Sequence, residues 1–143
     1  MMMAPQHHHW QEEQRRQPMH DWHLRRAGKG PIMLMLHGTG ADGLSFSGMQ
    51  PHLSKFFDLL ALDLPGHGKT RLGSRSRSGN KAMAEDIKKL LDDMRVTPDY
   101  ILGHSAGAVL ALELTKLLTP ALPKIFCINA SLAQFEGGAG WPF

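Results

Sequence analysis

The stretch YILGHSAG (residues 100–107) joins two apolar runs through Gly-His-Ser-Ala-Gly (residues 103–107). This pentapeptide fits the pattern G-x-S-x-G, in which a serine stands on a very tight turn between a strand and a helix. Glycine at positions 103 and 107 would let the two backbones approach closely, and the turn would raise the Ser105 hydroxyl into a cleft. A serine in an ordinary loop is the alternative, but the apolar runs on both sides favour the tight turn. The pattern therefore predicts Ser105 as a nucleophile.

The segments around this turn alternate between short apolar runs and helical patterns. Runs of about five apolar residues between turn residues are typical of strands buried on both faces; they are found at 32–36 (IMLML), 57–62 (FDLLAL), 100–102 and 124–128 (KIFCI). Helices are predicted at 49–56, 81–95 and 106–118, the second by apolar residues spaced three and four apart. This alternation predicts an α/β fold with a mainly parallel sheet.

The N-terminal residues carry few structural patterns. Residues 1–21 are polar, with little periodicity, and we expect a loose tail there. Residues 22–26 (WHLRR) alternate weakly and predict an edge strand. The predicted domain accordingly covers residues 22–143.

A glycine-rich loop, His37-Gly38-Thr39-Gly40, follows the first apolar strand. Acyl transfer places negative charge on a carbonyl oxygen, which two preplaced N–H donors stabilise. We predict the backbone N–H groups of Thr39 and Ala106 as these donors. His37, Gly38 and His104 flank the same site and are predicted to contact substrate, although a purely structural hydrogen-bonding role is the ordinary one for His37.

Asp63-Leu-Pro-Gly-His-Gly68 with Lys69 and Thr70 has some likeness to a phosphate-binding loop. That motif requires G-x-x-x-x-G-K-[ST], and its first position here is Asp63, whose carboxylate would repel phosphates. A nucleotide-binding function is therefore not predicted.

The three motifs HGTGA, DLPGHG and LGHSAGA, in this order and spacing, resemble the α/β-hydrolase superfamily. Within it, the chain resembles the magnesium-chelatase accessory proteins of bacteriochlorophyll synthesis. The discriminating stretch is INASLAQFEGGAGWPF (residues 128–143), which other hydrolases of the superfamily do not share. Phe46 stands where that branch more usually has Trp.

This resemblance implies an accessory role in inserting Mg²⁺ into a porphyrin, with a porphyrin as the small-molecule substrate and the chelatase subunits as partners. We predict no cofactor, and no metal held by the protein, because the predicted helices lack paired His or carboxylate ligands four residues apart. The loop between Lys69 and Lys81 carries five basic residues and no acid. Solvation accounts for such a loop, and attraction of porphyrin carboxylates is the alternative.

The catalytic triad is incomplete in this sequence. The superfamily orders its triad Ser, then Asp or Glu, then His, whereas the last His of this chain is His104. We therefore expect an α/β-hydrolase core truncated on its C-terminal side, with the lid and last strands absent. Two alternatives stay open: a general serine hydrolase of esterase or thioesterase type, or an inactive fragment of one.

Composition excludes several other classes of protein. The 143 residues include 16 Lys+Arg and 13 Asp+Glu, a net charge of +3 that gives no reason to expect nucleic-acid binding. No apolar run approaches the roughly 18 residues of a membrane span. One cysteine, Cys127, excludes an internal disulfide and a cysteine-cluster metal site. A cytoplasmic location is the expectation that fits.

Overall fold

The computed structural model describes residues 9–73 and 75–129. The part of the discriminating stretch from Ala130 onwards lies outside them. Six strands form one sheet: β1 (Gln11–Arg16), β2 (Asp21–Ala27), β3 (Ile32–Leu36), β4 (Asp58–Leu62), β5 (Tyr100–His104) and β6 (Lys124–Ile128). The α-helices are α1 (Gln50–Leu53), α2 (Asn80–Met94) and α3 (Ala106–Thr115), and short 3₁₀ helices cover Gly43–Phe46 and Arg75–Arg77.

The sheet has the order β1-β2-β4-β3-β5-β6. Strands β4, β3, β5 and β6 are parallel, whereas β1 pairs with β2, and β2 with β4, in antiparallel fashion. The predicted α/β class with a mainly parallel sheet is therefore confirmed. In an open sheet of this kind, ligands bind beyond the carboxyl ends of the parallel strands.

Both faces of the central strands are buried, as their continuous apolar runs predict. Leu34 and Leu36 of β3 pack with residues of α2 and α3 on one face, whereas Met33 and Met35 pack with Phe46 on the other. Alternate residues of a strand point to opposite faces, so a strand covered on both sides needs no polar positions. This packing fixes the carboxyl ends of β3 and β5 beside each other, at Leu36 and Gly103.

The expectation of a loose tail over residues 1–21 is wrong for its second half. Residues Gln11–Arg16 form β1, which pairs along its whole length with β2. Consequently β2 is an interior strand, and the predicted edge position of residues 22–26 is also wrong. The physical reason is that β1 is held by backbone pairing and by side-chain hydrogen bonds, such as that between Nε2 of His23 and Glu12 at 2.7 Å, rather than by a buried apolar face.

Candidate active site

Ser105 occupies the turn between β5 and α3 in a backbone conformation that residues other than glycine rarely adopt. Its φ is 55° and its ψ is −120°, and the residue is exposed. A non-glycine residue with positive φ costs free energy, and such residues persist where the surrounding structure imposes them. The strained turn predicted from G-x-S-x-G is therefore present at Ser105, directly after the last residue of β5.

The two flanking glycines explain how so tight a turn is packed. A Cβ atom on Gly103 would lie 2.6 Å from Cα of Ala108 and 2.7 Å from the carbonyl oxygen of Gly107. A Cβ atom on Gly107 would lie 2.7 Å from the carbonyl oxygen of His37 and still closer to that of Leu36. Both positions must lack a side chain because backbone atoms of α3 and β3 already occupy the space.

The loop after β3 lies against this turn. A Cβ atom on Gly38 would be 3.1 Å from Cβ of Ser105 and 3.3 Å from the carbonyl oxygen of His104. Ser105 is the N-cap residue of α3, and the first amides of a helix have no partner within the helix. The predicted donors thus come from the loop after β3, at Thr39, and from the first residue of α3, at Ala106.

A cavity of about 390 Å³ opens beside these loops. Four of the predicted site residues line it: His37, Gly38, Thr39 and Ala106. The other lining residues were not predicted as site residues: Leu64, Pro65, Gly66, His67, Leu72, Ser78, Asn80, Met83 and Leu110. Ser105 itself does not line the cavity, although its neighbour Ala106 does. A Cβ atom on Gly38 would lie 3.5 Å from Nδ1 of His104. A contact of His104 with substrate stays a prediction.

A larger cavity, of about 650 Å³, lies at the other end of the sheet, where its lining includes Arg26, Lys29 and Asp58. Asp58 begins β4, so this cavity is at the amino ends of the parallel strands. The cavity beside Ser105 is at their carboxyl ends, where α/β sheets place their ligands. Position in the fold therefore favours the smaller cavity as the candidate active site.

His37 lines this cavity with a ring that is already engaged at both nitrogens. Nδ1 donates to the carbonyl oxygen of Gly38 at 2.7 Å, and Nε2 accepts the N–H of Leu64 at 2.9 Å. Burial lowers the pKa of His37, although the Gly38 carbonyl acts in the opposite direction. The neutral ring therefore ties the loop after β3 to the loop after β4, and a bond from this ring to substrate stays a prediction.

A buried ion pair between Arg25 and Asp63 fixes the loop after β4. The Arg25 guanidinium donates to Asp63, whose carboxylate also accepts the N–H groups of Gly43 at 2.7 Å and Lys69 at 2.9 Å. Burial by itself raises the pKa of Asp63, but these backbone donors and Arg25 outweigh it, so the pKa lies below its ordinary value. One carboxylate thus connects β2, the segment after the Thr39 loop and the loop that begins at Asp63.

Acid is expected to weaken this arrangement. A carboxyl whose pKa is depressed by folding contributes stability above its unfolded value, near 3.8, and loses it as the pH falls through the folded pKa. Urea unfolding at pH 7, 4 and 3 should therefore show a falling midpoint below about pH 4. Asp63→Asn should reduce that dependence, while Glu12 and Asp86, whose pKa values are also lowered, supply the remainder. An unchanged pH dependence in Asp63→Asn would contradict the assignment.

Within 9–73 and 75–129, no cluster of three or more His, Cys, Asp or Glu side chains could hold a metal ion. The helices in the same ranges are too short or too polar to cross a bilayer.

Comparison with known proteins gives a family and several relatives. A family model described as alpha/beta hydrolase fold matches residues 31–141. The chain is similar to the magnesium-chelatase 30 kDa subunit of Rhodobacter capsulatus, with 48% identity over 125 residues, covering 86% of this chain and 43% of that protein.

More distant likenesses agree on the fold. Pimeloyl-[acyl-carrier protein] methyl ester esterase of Methylococcus capsulatus is 27% identical over 119 residues, covering 83% of this chain and 44% of that protein. An N-acyl homoserine lactonase solved with N-butanoyl homoserine has a TM-score of 0.81 at 22% identity, covering 90% of this chain and 48% of that one. The chain thus spans less than half the length of each of these relatives.

Proposed function

Since this chain belongs to the alpha/beta hydrolase fold family, we propose that it carries the nucleophile and oxyanion-binding groups of a protein that assists a magnesium chelatase in bacteriochlorophyll synthesis. The observation that carries the proposal is the positive φ of Ser105 at the start of α3. A strained, exposed serine that is held by two obligatory glycines has no evident structural purpose, and strain of this kind is concentrated at active sites.

The proposed chemistry is acyl transfer to serine. The Ser105 oxygen attacks the carbonyl carbon of an ester, thioester or amide while its proton passes to a base, and the carbonyl oxygen takes up the negative charge. The tetrahedral intermediate then breaks the bond to the leaving alcohol, thiol or amine, which takes up that proton, and the acyl group stays on Ser105. The N–H groups of Thr39 and Ala106 stabilise the negative charge on the carbonyl oxygen, and the positive end of the α3 dipole adds to them. Removing one such donor from a hydrolase typically lowers kcat about 100-fold or more.

The serine proton needs a base, and none is in place among the described residues. The Ser105 hydroxyl has no hydrogen-bond partner in residues 9–73 and 75–129, and the sequence has no His after His104. The matched regions cover less than half of the relatives' length, and we propose that a segment equivalent to their remaining part supplies the base. By itself the 143-residue chain should turn over substrate very slowly.

Similarity to a relative is the reason for proposing magnesium chelatase as the partner. The Rhodobacter capsulatus relative is named as a subunit of magnesium chelatase and shares nearly half of the aligned residues. A porphyrin is the small-molecule substrate that such a role implies. A general serine hydrolase is the second candidate, supported by the similarity to a methyl ester esterase.

Magnesium insertion into protoporphyrin IX by the Rhodobacter capsulatus chelatase tests the proposal. The test protein is a chimera of this chain and the portion of the Rhodobacter 30 kDa subunit beyond the matched region. We expect the chimera to raise the insertion rate, and Ser105→Ala to remove at least about 90% of that increase. Ser45→Ala, a change at another exposed serine, should keep the increase.

Two other outcomes of this experiment would contradict different parts of the proposal. Full stimulation by the Ser105→Ala chimera would contradict a nucleophilic role and leave a binding scaffold. Ester hydrolysis that depends on Ser105, without any effect on magnesium insertion, would favour the general hydrolase.

A further inference from the structure

A separate cavity of about 230 Å³ lies where the turn between β1 and β2 meets the loop before the 3₁₀ turn Arg75–Arg77. Its lining comes from residues 17–21 of the first segment and 71–73 of the second. Leu72 lines both this cavity and the 390 Å³ cavity of the candidate active site. The reaction proposed at Ser105 makes no use of the smaller cavity.

His20 brings an unpaired ring nitrogen to this cavity. Its side chain is completely buried, with Nε2 2.9 Å from a carboxylate oxygen of Asp86. Among residues 9–73 and 75–129, Nδ1 of the same ring has no hydrogen-bond partner. Nδ1 faces Gly73, which lines the cavity, since a Cβ atom on Gly73 would lie 3.1 Å from it. A buried polar atom without a partner costs free energy, and a ligand group that pairs with it would remove that cost.

Asp86 determines which ring nitrogen of His20 carries a hydrogen. Asp86 is buried and also accepts a hydrogen bond from Arg77 at 2.9 Å. Burial raises the pKa of Asp86, but Arg77 and His20 outweigh it, so this pKa lies below its ordinary value. An ionised carboxylate can only accept hydrogen bonds, so Nε2 of His20 donates to it. Nδ1 is then a lone pair in the neutral ring and a second donor in the imidazolium.

The charges at the cavity favour an anion as its occupant. Arg71 lines the cavity, is exposed, and has no ion pair or hydrogen bond to any residue in 9–73 and 75–129. Asp21 lines it as well, but its carboxylate lies 3.4 Å from the guanidinium of Arg16, which offsets its charge. The uncompensated charge is therefore that of Arg71. A guanidinium presents its N–H donors in the geometry that a carboxylate or a phosphate accepts.

The remaining surroundings of His20 add no further charge. The Trp22 ring lies edge-on to it, with the ring centroids 5.3 Å apart, and an indole does not titrate. The charged groups around His20 are thus Asp86 with Arg77 on one side, and Arg71 with Asp21 at the cavity. The size of the cavity also restricts the ligand, because drug-sized molecules need roughly 300 Å³ or more.

We propose that this cavity binds the oxyanion of a small molecule, a carboxylate or a phosphate, between the Arg71 guanidinium and Nδ1 of His20. Nδ1 takes up a proton from solvent as the anion binds, and the new N–H donates to an oxygen of the anion. The imidazolium then lies between two anions, Asp86 at Nε2 and the ligand at Nδ1, which favours its charged form. Affinity for the anion therefore rises as the pH falls.

Sulfate and acetate are suitable probes because both keep their charge between pH 6 and 8, and one is tetrahedral whereas the other is planar. Binding to the 143-residue chain is measured by titration calorimetry at an ionic strength of about 0.1 M, where the Debye length is about 10 Å. At pH 6 we expect one saturable site with a Kd on the order of 1 mM for at least one probe. Tighter binding of sulfate would identify a phosphate as the preferred group, and tighter binding of acetate a carboxylate.

Arg71→Gln should raise the Kd of the tighter probe about tenfold, because it removes the guanidinium that pairs with the anion. Arg75→Gln is the matched control, since it removes the same charge from an exposed position of the same segment that does not line the cavity. Its Kd should stay within about twofold of wild type. Circular dichroism checks that both variants are folded.

The role of His20 is tested by the proton that accompanies binding. Raising the pH from 6 to 8 should weaken binding by wild type about fivefold. At pH 7, binding enthalpies in two buffers of different ionisation enthalpy should show an uptake of about half a proton per chain. His20→Gln, whose amide can still donate to Asp86, should lose both effects. The comparison of buffers on wild type decides the matter even where that variant does not fold.

Three results would overturn the inference. They are no saturable binding of either probe up to about 50 mM, equal weakening by Arg71→Gln and Arg75→Gln, or binding that takes up no proton and does not depend on pH. None of these measurements involves a reaction at Ser105. Failure of Ser105 to act as a nucleophile would therefore contradict the proposed function alone, and failure of anion binding would contradict this inference alone.

Discussion

Gly107→Ala is expected to destabilise the protein by more than about 3 kcal/mol or to prevent folding, which places it among the most damaging single substitutions in a core. A Cβ atom at this position would overlap the carbonyl oxygens of Leu36 and His37. Those atoms are backbone at the carboxyl end of β3, so they cannot move aside as a flexible side chain would. The overlap can be relieved only by separating α3 from β3, which would open the packed core between the two elements. Urea unfolding followed by far-UV circular dichroism measures the loss.

Gly48→Ala is the matched control for this substitution. A Cβ atom on Gly48 would have no neighbour within 4 Å, and the φ of Gly48 is not positive. The change should therefore alter the free energy of unfolding by less than about 1 kcal/mol. Equal effects of the two substitutions would contradict the close approach of α3 to β3, and with it the geometry of the turn at Ser105.

The turn at Ser105 could be predicted because several local features agree there. An apolar run of strand length, two glycines at fixed positions and an apolar helix all lie within residues 100–115. Each feature depends on neighbours in the sequence, and together they specify one backbone path. The structure confirms this path, with β5 ending at His104 and α3 beginning at Ala106.

The N-terminal hairpin could not be predicted in the same way. Strand β1 has no alternation of apolar residues, because the ladder to β2, the hydrogen bond between Glu12 and His23 and the ion pair of Glu12 with Lys69 hold it rather than a buried face. A strand of this kind leaves little trace in hydrophobic periodicity, which is the main indicator of secondary structure in a sequence.

The buried ion pair of Arg25 and Asp63 also could not be predicted from the sequence. A charged residue within a strand is usually exposed, yet Arg25 is 2% exposed. Its partner lies 38 positions further along the chain, and no local pattern indicates such a contact. From the sequence, Asp63 served only to exclude a phosphate-binding loop. In the structure it fixes the loop after β4, which forms part of the cavity wall.

Part of the candidate site could be predicted from the sequence, and part could not. The predicted donors at Thr39 and Ala106 follow β3 and β5, whose carboxyl ends are adjacent in the sheet, so the topology brings them together. His67 and Met83 come from separate segments that only the folded arrangement places at the cavity. The ring of His67 lies 5.1 Å from that of His37, a contact with no counterpart in sequence spacing.

Covalent labelling of Ser105 is expected to show the largest functional effect. A fluorophosphonate phosphonylates an activated serine: its phosphorus bonds to Oγ, fluoride leaves, and the serine proton passes to a base. A correctly placed base accelerates such a step about 100-fold to 10,000-fold. The chimera with the Rhodobacter capsulatus portion should therefore react at least about 100-fold faster than the 143-residue chain. Ser105→Ala should abolish the reaction in both, whereas Ser45→Ala should leave the rate unchanged.

The most direct test of Ser105 as the nucleophile is the mass of the peptide that contains it after this labelling. We predict one phosphonyl adduct per chimera molecule, located on Ser105, and none in the Ser105→Ala protein at equal protein and probe concentrations. An adduct on another residue, or an equal extent of labelling in Ser105→Ala, would contradict the account.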